Sequence, residues 1–230
     1  MKNNSFEKLK SDSREWFEKK LKEFALGKLK ELNFSYGLAE KTLGLIGKME
    51  KHNRPTYWHM LRVAKVSYMI ANKLGQSDGK LEFIGGLLHD IGKLEVDPKS
   101  LVQYRDITDE EYEKIKEHTF LGYKNLKDDY ALTALVVGGH HGFTDKGYGI
   151  TEKYYPNFIK QNQKLKYRVI NAIRTVAIAD FADAARTRRT NERSGGNVPL
   201  DDKLKEKFPE DEEKIEYLLK DPEILILYDK

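Results

Sequence analysis

Six histidines carry most of the chemical capacity of this 230-residue chain: His52, His59, His89, His118, His140 and His141. His89 adjoins Asp90 and His140 adjoins His141, each pair beside an apolar stretch that sets it against the core. Scattered surface histidines do not usually fall that way. A further carboxylate, Asp180, stands inside the run IADFAD, where it needs a partner, a metal or loss of its charge. Each histidine taken singly reads as a hydrogen-bonded structural residue; together they read as ligands. Neutral imidazoles and carboxylates suit Mn, Fe, Co, Ni and Zn, whereas calcium and magnesium prefer an all-oxygen shell. Five histidines with two aspartates exceed the needs of one four-coordinate zinc and suffice for two metals sharing a bridging carboxylate. Two metals ~3.5–4 Å apart can deprotonate a water between them while clamping phosphate oxygens, which is the chemistry of phosphoester hydrolysis. Lys93, three residues after Asp90 and four after His89, would share one helix face with both and offset charge on a bound phosphate. An ordinary surface lysine in a Lys-rich chain is the competing reading.

The elements that must position these residues read as helices. Residues 5–34 carry Phe6, Leu9, Trp16, Phe17, Leu21, Phe24, Leu29 and Leu32 at helical spacing, as one helix or a pair broken near Gly27. Further periodic stretches run from Ala39 to Met49, from 57 to 74, and from Leu81 to Leu94. Thr108 with Glu111 is a capping-box pattern and opens a helix expected to reach about Leu126. Ala131 to Gly138 is short and apolar; periodicity alone allows a strand, and only the helical neighbourhood favours a helix. The segment 142–162 reads as a long loop, Tyr167 to Arg186 as a long helix, and 190–202 as a linker. One or two charged helices are expected from Lys203 to about Lys220. The fold class expected is all-α.

Composition narrows the function classes. With no cysteine, disulfide scaffolds, thiol nucleophiles and Cys-ligated metal sites are excluded. A net charge of +4 is too small to demand an anionic partner. The lysines of the N-terminal helix are interleaved with Glu and Asp as on a solvated amphipathic face, which disfavours nucleic-acid binding. The sequence has no apolar run of ~18 residues to cross a membrane, and its first twenty residues lack an apolar signal-peptide core. A soluble cytoplasmic protein is expected.

The motifs HMLRVA at 59–64, GGLLHDIGKLEVDP at 85–98, EHTFLGY at 117–123, GGHHG at 138–142 and VAIADFADA at 176–184 form an ordered series H…HD…H…HH…D. From Tyr57 to Arg189 the chain resembles the HD-domain phosphohydrolase superfamily, and within it the HD-GYP subgroup, which hydrolyses cyclic di-GMP. The resemblance implies a helical bundle with a dimetal site at its centre and additional helices at both termini. It implies that His59, His89, Asp90, His118, His140, His141 and Asp180 are metal ligands, with Asp90 the bridge. Lys93 would touch the substrate phosphate, and Asp183 would orient a ligand. Arg186, Arg188 and Arg189 fall where the subgroup places a basic segment against the dinucleotide, and Tyr148 could stack on a base. Gly142-Phe143 stand where the subgroup has Glu-Arg, and Gly149 replaces the proline of Gly-Tyr-Pro while Gly147 and Tyr148 persist. Pro55 occupies the position of a glutamate that supports a third metal in some members, so two ions are expected: Fe or Mn first, with Co, Ni or Zn as alternatives.

The expected organisation is an N-terminal helical extension (1–50), an HD-GYP-like phosphohydrolase domain (51–190) and a C-terminal linker with helical tail (191–230). The leading reading is a metal-dependent phosphodiesterase acting on a cyclic dinucleotide or related signalling nucleotide through a metal-bridging hydroxide. A nucleotide phosphomonoesterase, a (p)ppGpp-type hydrolase and a catalytically silent nucleotide-binding or docking module are the alternatives. A small nucleotide is the expected partner, and a homodimer is left open.

Overall fold

The computed structural model describes residues 3–75, 77–101, 105–143, 147–187 and 198–228, with side chains from Glu15 onward. Arg188 and Arg189 lie outside the described residues. Twelve α-helices follow one another among them, with no strand: α1 (Asn3–Glu31), α2 (Tyr36–His52), α3 (Arg54–Lys73), α4 (Lys80–Leu88), α5 (Asp109–Lys116), α6 (His118–Leu126), α7 (Ala131–Gly139), α8 (Asn157–Lys160), α9 (Gln163–Thr187), α10 (Leu200–Lys207), α11 (Glu212–Lys220) and α12 (Pro222–Ile226). The all-α expectation holds, and Ala131 to Gly139 is helix rather than strand. No helix among them is long and apolar enough to cross a membrane.

Several expected boundaries move. The first helix runs through Gly27 without a break, because a lone glycine costs a helix only about 1 kcal/mol relative to alanine. The helix expected from Leu81 to Leu94 stops at Leu88 and resumes as a 3₁₀ turn, Ile91–Glu95. The helix opened at Thr108 keeps its reciprocal capping box but divides at Glu117 into α5 and α6. The loop 142–162 contains the 3₁₀ turn Glu152–Tyr154 and α8. The tail holds three helices where one or two were expected.

One hydrophobic cluster runs from Leu21 in α1 to Leu227 beyond α12. At its centre lies α3, with Tyr57, Met60, Leu61, Val63, Ala64, Val66 and Ile70 almost wholly buried. It packs against α1, α2, α4 and α9, while α7 packs against α4, α6 and α9. The apolar α4 (KLEFIGGLL) is buried nearly all round, as a helix hydrophobic on every face must be. Its Glu82, fully buried, is held by Arg168 of α9 through two bonds of 2.6 and 2.8 Å. A buried carboxylate needs such a partner. This frame fixes where the ends of α4, α5 and α7 meet.

Candidate metal centre

Three of the histidines sit at helix ends and use the same local device. The last carbonyls of a helix have no intrahelical donor, and a ring nitrogen three residues further on can reach them. His89 Nδ1 donates to the Gly86 carbonyl at the end of α4 (2.8 Å). His118 Nδ1 donates to Ile115 at the end of α5 (2.6 Å), and His140 Nδ1 to Val137 at the end of α7 (2.7 Å). A carbonyl only accepts, so each Nδ1 carries a proton and each ring turns its Nε2 inward. His59, on α3, is oriented differently: its Nδ1 donates to Asp183 Oδ2 at 2.6 Å.

The inward atoms converge. His59 Nε2 lies 3.1 Å from His89 Nε2 and 3.0 Å from Asp180 Oδ1. Asp90 faces both sides of the cluster, with Oδ2 at 3.5 Å from His89 and 3.6 Å from His59, and Oδ1 at 3.2 Å from His118. His118 Nε2 lies 3.3 Å from His140 Nε2, and His141 Nε2 lies 3.8 Å from Asp180 Oδ2. Three ligand triads result: His59–His89–Asp90, His89–His140–Asp180 and His118–His140–His141. All seven residues in the expected ligand set are thus brought together. His52 stands apart, bonded to the Val96 carbonyl at 3.0 Å.

Electrostatics favour cations here. Burial pushes His118 down to about 3 and, with the neighbouring histidines, holds His140 well below the ordinary imidazole value. Burial also takes His141 down to about 4. For His59 burial acts downward too, but the hydrogen bonds to Asp180 and Asp183 outweigh it and raise the imidazole. Burial opposes ionisation of Asp90 and Asp180, yet Lys93 and His89 on one, and His59 and His141 on the other, keep both carboxyls well below their usual range. Neutral His118 and His140, their Nδ1 protons already committed, set two lone pairs 3.3 Å apart. Such a pair repels unless a cation lies between the nitrogens. A donor set of imidazole nitrogen and carboxylate oxygen therefore fits divalent transition-metal ions.

Residues 56–185, more than half the chain, match the HD domain family. The chain belongs to that family. Over 147 residues this HD domain is 31% identical to a cyclic di-GMP phosphodiesterase of Thermotoga maritima, covering 61% of this chain and 37% of that protein. Over 141 residues it is 30% identical to the cyclic di-GMP phosphodiesterase PA4108 of Pseudomonas aeruginosa, covering 60% of this chain and 32% of that one. The chain thus spans about a third of the length of these curated relatives. A solved structure of the Listeria monocytogenes phosphodiesterase PgpH HD domain, in complex with cyclic-di-AMP, aligns with a TM-score of 0.46 at 23% identity, covering 80% of this chain and 86% of that one.

The other residues expected at the site fall as follows. Lys93 does not share a regular helix face with His89 and Asp90, because α4 has ended. It reaches Asp90 Oδ2 at 2.6 Å instead from the 3₁₀ turn, whose period of three sets residue i beside i+3. Tyr148 lies against the centre with its ring stacked 4.6 Å from that of His141, so one face is occupied by that histidine. Its loop is drawn back by the bond from the Ile150 amide to the Gly138 carbonyl. Gly149 has φ +113, which proline, locked near −65°, cannot adopt. Asp183 is fully buried and also accepts two bonds from Arg62, at 2.6 and 3.0 Å. The guanidinium of Arg186 lies 4.5 Å from the ring of Tyr228.

Sequence reasoning missed Arg62, Tyr228 and the three carbonyl acceptors. Arg62 had a signal, since a charged residue one helical turn after His59 within a mostly apolar helix calls for a partner. Tyr228 had none.

Proposed function

We propose that this chain is a metal-dependent phosphodiesterase acting on a cyclic dinucleotide or a related signalling nucleotide. The observation that carries the reading is the convergence of five imidazoles and two carboxylates, with the second nitrogens of four of the imidazoles committed to carbonyls or to Asp183. The names of the two curated relatives support the substrate class. The division proposed is residues 51–190 as the hydrolytic domain, flanked by helical extensions.

His59, His89, Asp90, His118, His140, His141 and Asp180 would hold two divalent ions, Fe or Mn before Co, Ni or Zn. Bound there, such ions supply a more acidic water and charge compensation for phosphate oxygens. The chain's own residues prepare the rest. Lys93 pairs with Asp90 and presents an ammonium beside the phosphate position. Asp183 and the helix-end carbonyls orient the imidazoles of His59, His89, His118 and His140. His141, whose side chain is 28% exposed against 10% or less for its partners, marks the open side, where Tyr148 and Lys116 lie. In the overall step water adds to phosphorus, the P–O3′ bond breaks, and the 3′ oxygen leaves with a proton.

The test is chromatographic detection of products from cyclic di-GMP. Protein loaded anaerobically with Fe²⁺ or Mn²⁺ is compared with Asp90→Asn, and metal content is measured in parallel. Linear pGpG or GMP from the parent alone is expected. Bound metal without turnover would remove this substrate and leave the phosphomonoesterase and (p)ppGpp readings. Absence of bound metal would favour the docking module.

A further inference from the structure

The back of the His59 end of the centre carries two buried polar atoms that the ligand series does not account for. The hydroxyl of Tyr228, just beyond α12, is buried and forms no hydrogen bond of regular geometry, although it stands within interaction range of Asp183, and Nη1 of Arg186 is likewise buried without one. Buried polar groups nearly always have partners, so each exception asks for a reason. The charges that act on the hydroxyl are the Asp183 carboxylate and the Arg62 and Arg186 guanidiniums. Asp183 accepts one bond from His59 and two from Arg62. A carboxylate offers about four acceptor directions, so one remains. Burial and then the Asp183 charge push the phenol well above its ordinary value, so the hydroxyl keeps its proton and can only be a donor to a carboxylate.

The arm that brings Tyr228 there is firmly fixed. Asp211, buried at the start of α11, accepts from Arg174 of α9 through Nε at 2.8 Å and through Nη2, and from Lys214 at 2.7 Å. Leu204, Ile215, Leu218, Ile224 and Leu227 are buried along α10–α12. Arg186 stacks on the Tyr228 ring and limits its sideways freedom.

We propose that Tyr228 is a positioning residue for the metal centre: its hydroxyl donates to the remaining acceptor site of Asp183, and the C-terminal arm thereby fixes the imidazole of His59. The inference rests on the reading of His59 as a metal ligand. It makes the last described helix, outside the matched family span, part of the site's support.

Mn²⁺ is titrated calorimetrically into the metal-free full chain, as parent, Tyr228→Phe and Asp183→Asn. The His59 ring signals of the same metal-free proteins are recorded by NMR. Phenylalanine keeps the ring on Arg186 and removes only the donor. Tyr228→Phe is expected to weaken Mn²⁺ binding about tenfold, the lower end for lost support of a ligand, and to move the His59 signals toward those of Asp183→Asn. Parent-like signals and affinity would overturn the inference, as would lost thermal stability with unmoved His59 signals, which makes Tyr228 a packing residue. If the parent itself takes up no Mn²⁺, the metal reading fails, and the NMR comparison still decides whether Tyr228 acts on Asp183.

Discussion

Replacing Asp183 with asparagine tests the support of the centre with almost no change of shape. The carboxylate accepts three bonds, from His59 Nδ1 at 2.6 Å and from Arg62 at 2.6 and 3.0 Å. Burial pushes its pKa up, but the His59 bond and the Arg62 charge hold it down at about 2, so it is ionised at neutral pH. An amide has one oxygen and one NH₂ group in place of two oxygens. If the oxygen turns to His59, the NH₂ meets the Arg62 Nε–H, donor against donor. If it turns to Nε, the NH₂ meets His59, which must then move its proton to Nε2 and point it into the ligand cluster. Either way Arg62 is left without its counter-charge, and its side chain is only 16% exposed. Breaking a buried ion pair by removing one partner costs about 3–5 kcal/mol, and the amide's surviving bond argues for the lower end. Against a total stability of about 5–15 kcal/mol that loss is easily read in a urea denaturation curve of the metal-free protein. Mn²⁺ affinity should fall about 10- to 100-fold in parallel. Glu110→Gln is the control: it removes an ion pair of similar length, 2.7 Å, but one whose side chains are 65% and 79% exposed, and its curve should stay in place. An Asp183→Asn curve superimposed on the parent's, with unchanged Mn²⁺ affinity, would refute the reasoning.

Lys93→Ala should retain bound metal and slow turnover about 10²-fold, the loss typical of one charge-stabilising contact; metal analysis beside steady-state rates checks both, and metal loss would make Lys93 a support of Asp90 only. Gly92→Ala should uncouple two walls of the site, because a Cβ there would stand 2.0 Å from the His118 carbonyl oxygen and 2.7 Å from the Gly122 nitrogen. Both obstacles are backbone, so the 3₁₀ turn and α6 must part; a loss of about 1–3 kcal/mol in urea and weaker Mn²⁺ binding are expected. The metal-free protein should lose stability between pH 7 and pH 5. His118 and His141, held at about 3 and about 4, stay neutral when folded, while unfolded imidazoles near 6.5 take up protons. Their contribution is complete above about 6.5 and declines as pH falls, whereas the raised His59 works in the opposite sense. Urea midpoints at the two pH values read the balance, and a higher midpoint at pH 5 would contradict it.

Much of this centre was legible because its histidines and aspartates come as adjacent pairs and as residues out of keeping with apolar helices. Asp180 declared itself in that way, and the 3.6-residue period located the helices that carry His59 and Asp180. What periodicity could not register was where helices stop. The apolar spacing of Leu81, Ile84, Leu87, Leu88 and Ile91 continues past the end of α4, since Ile91 stays buried after the backbone has tightened into a 3₁₀ turn. Likewise α5 and α6 keep one pattern across the break at Glu117. Those breaks are what let His89 and His118 reach back to free carbonyls. Partnerships such as Arg62 with Asp183, 121 residues apart, depend on how α3 and α9 pack, and no local pattern encodes that.

The helix ends that anchor His89, His118 and His140 also set an order of events. A helix C-terminus carries roughly half a negative charge, and α4, α5 and α7 each direct one toward the same point, where two ionised carboxylates already stand. An incoming phosphodiester meets an electrostatic barrier there, while a divalent ion meets a trap. Loading would thus be sequential, cations first and nucleotide second, so that substrate affinity becomes a reporter of metal occupancy. Binding of cyclic di-GMP to Asp183→Asn at rising Mn²⁺ would follow the metal isotherm of that variant, displaced to higher concentration, and nucleotide binding at full strength without metal would show that the barrier is absent.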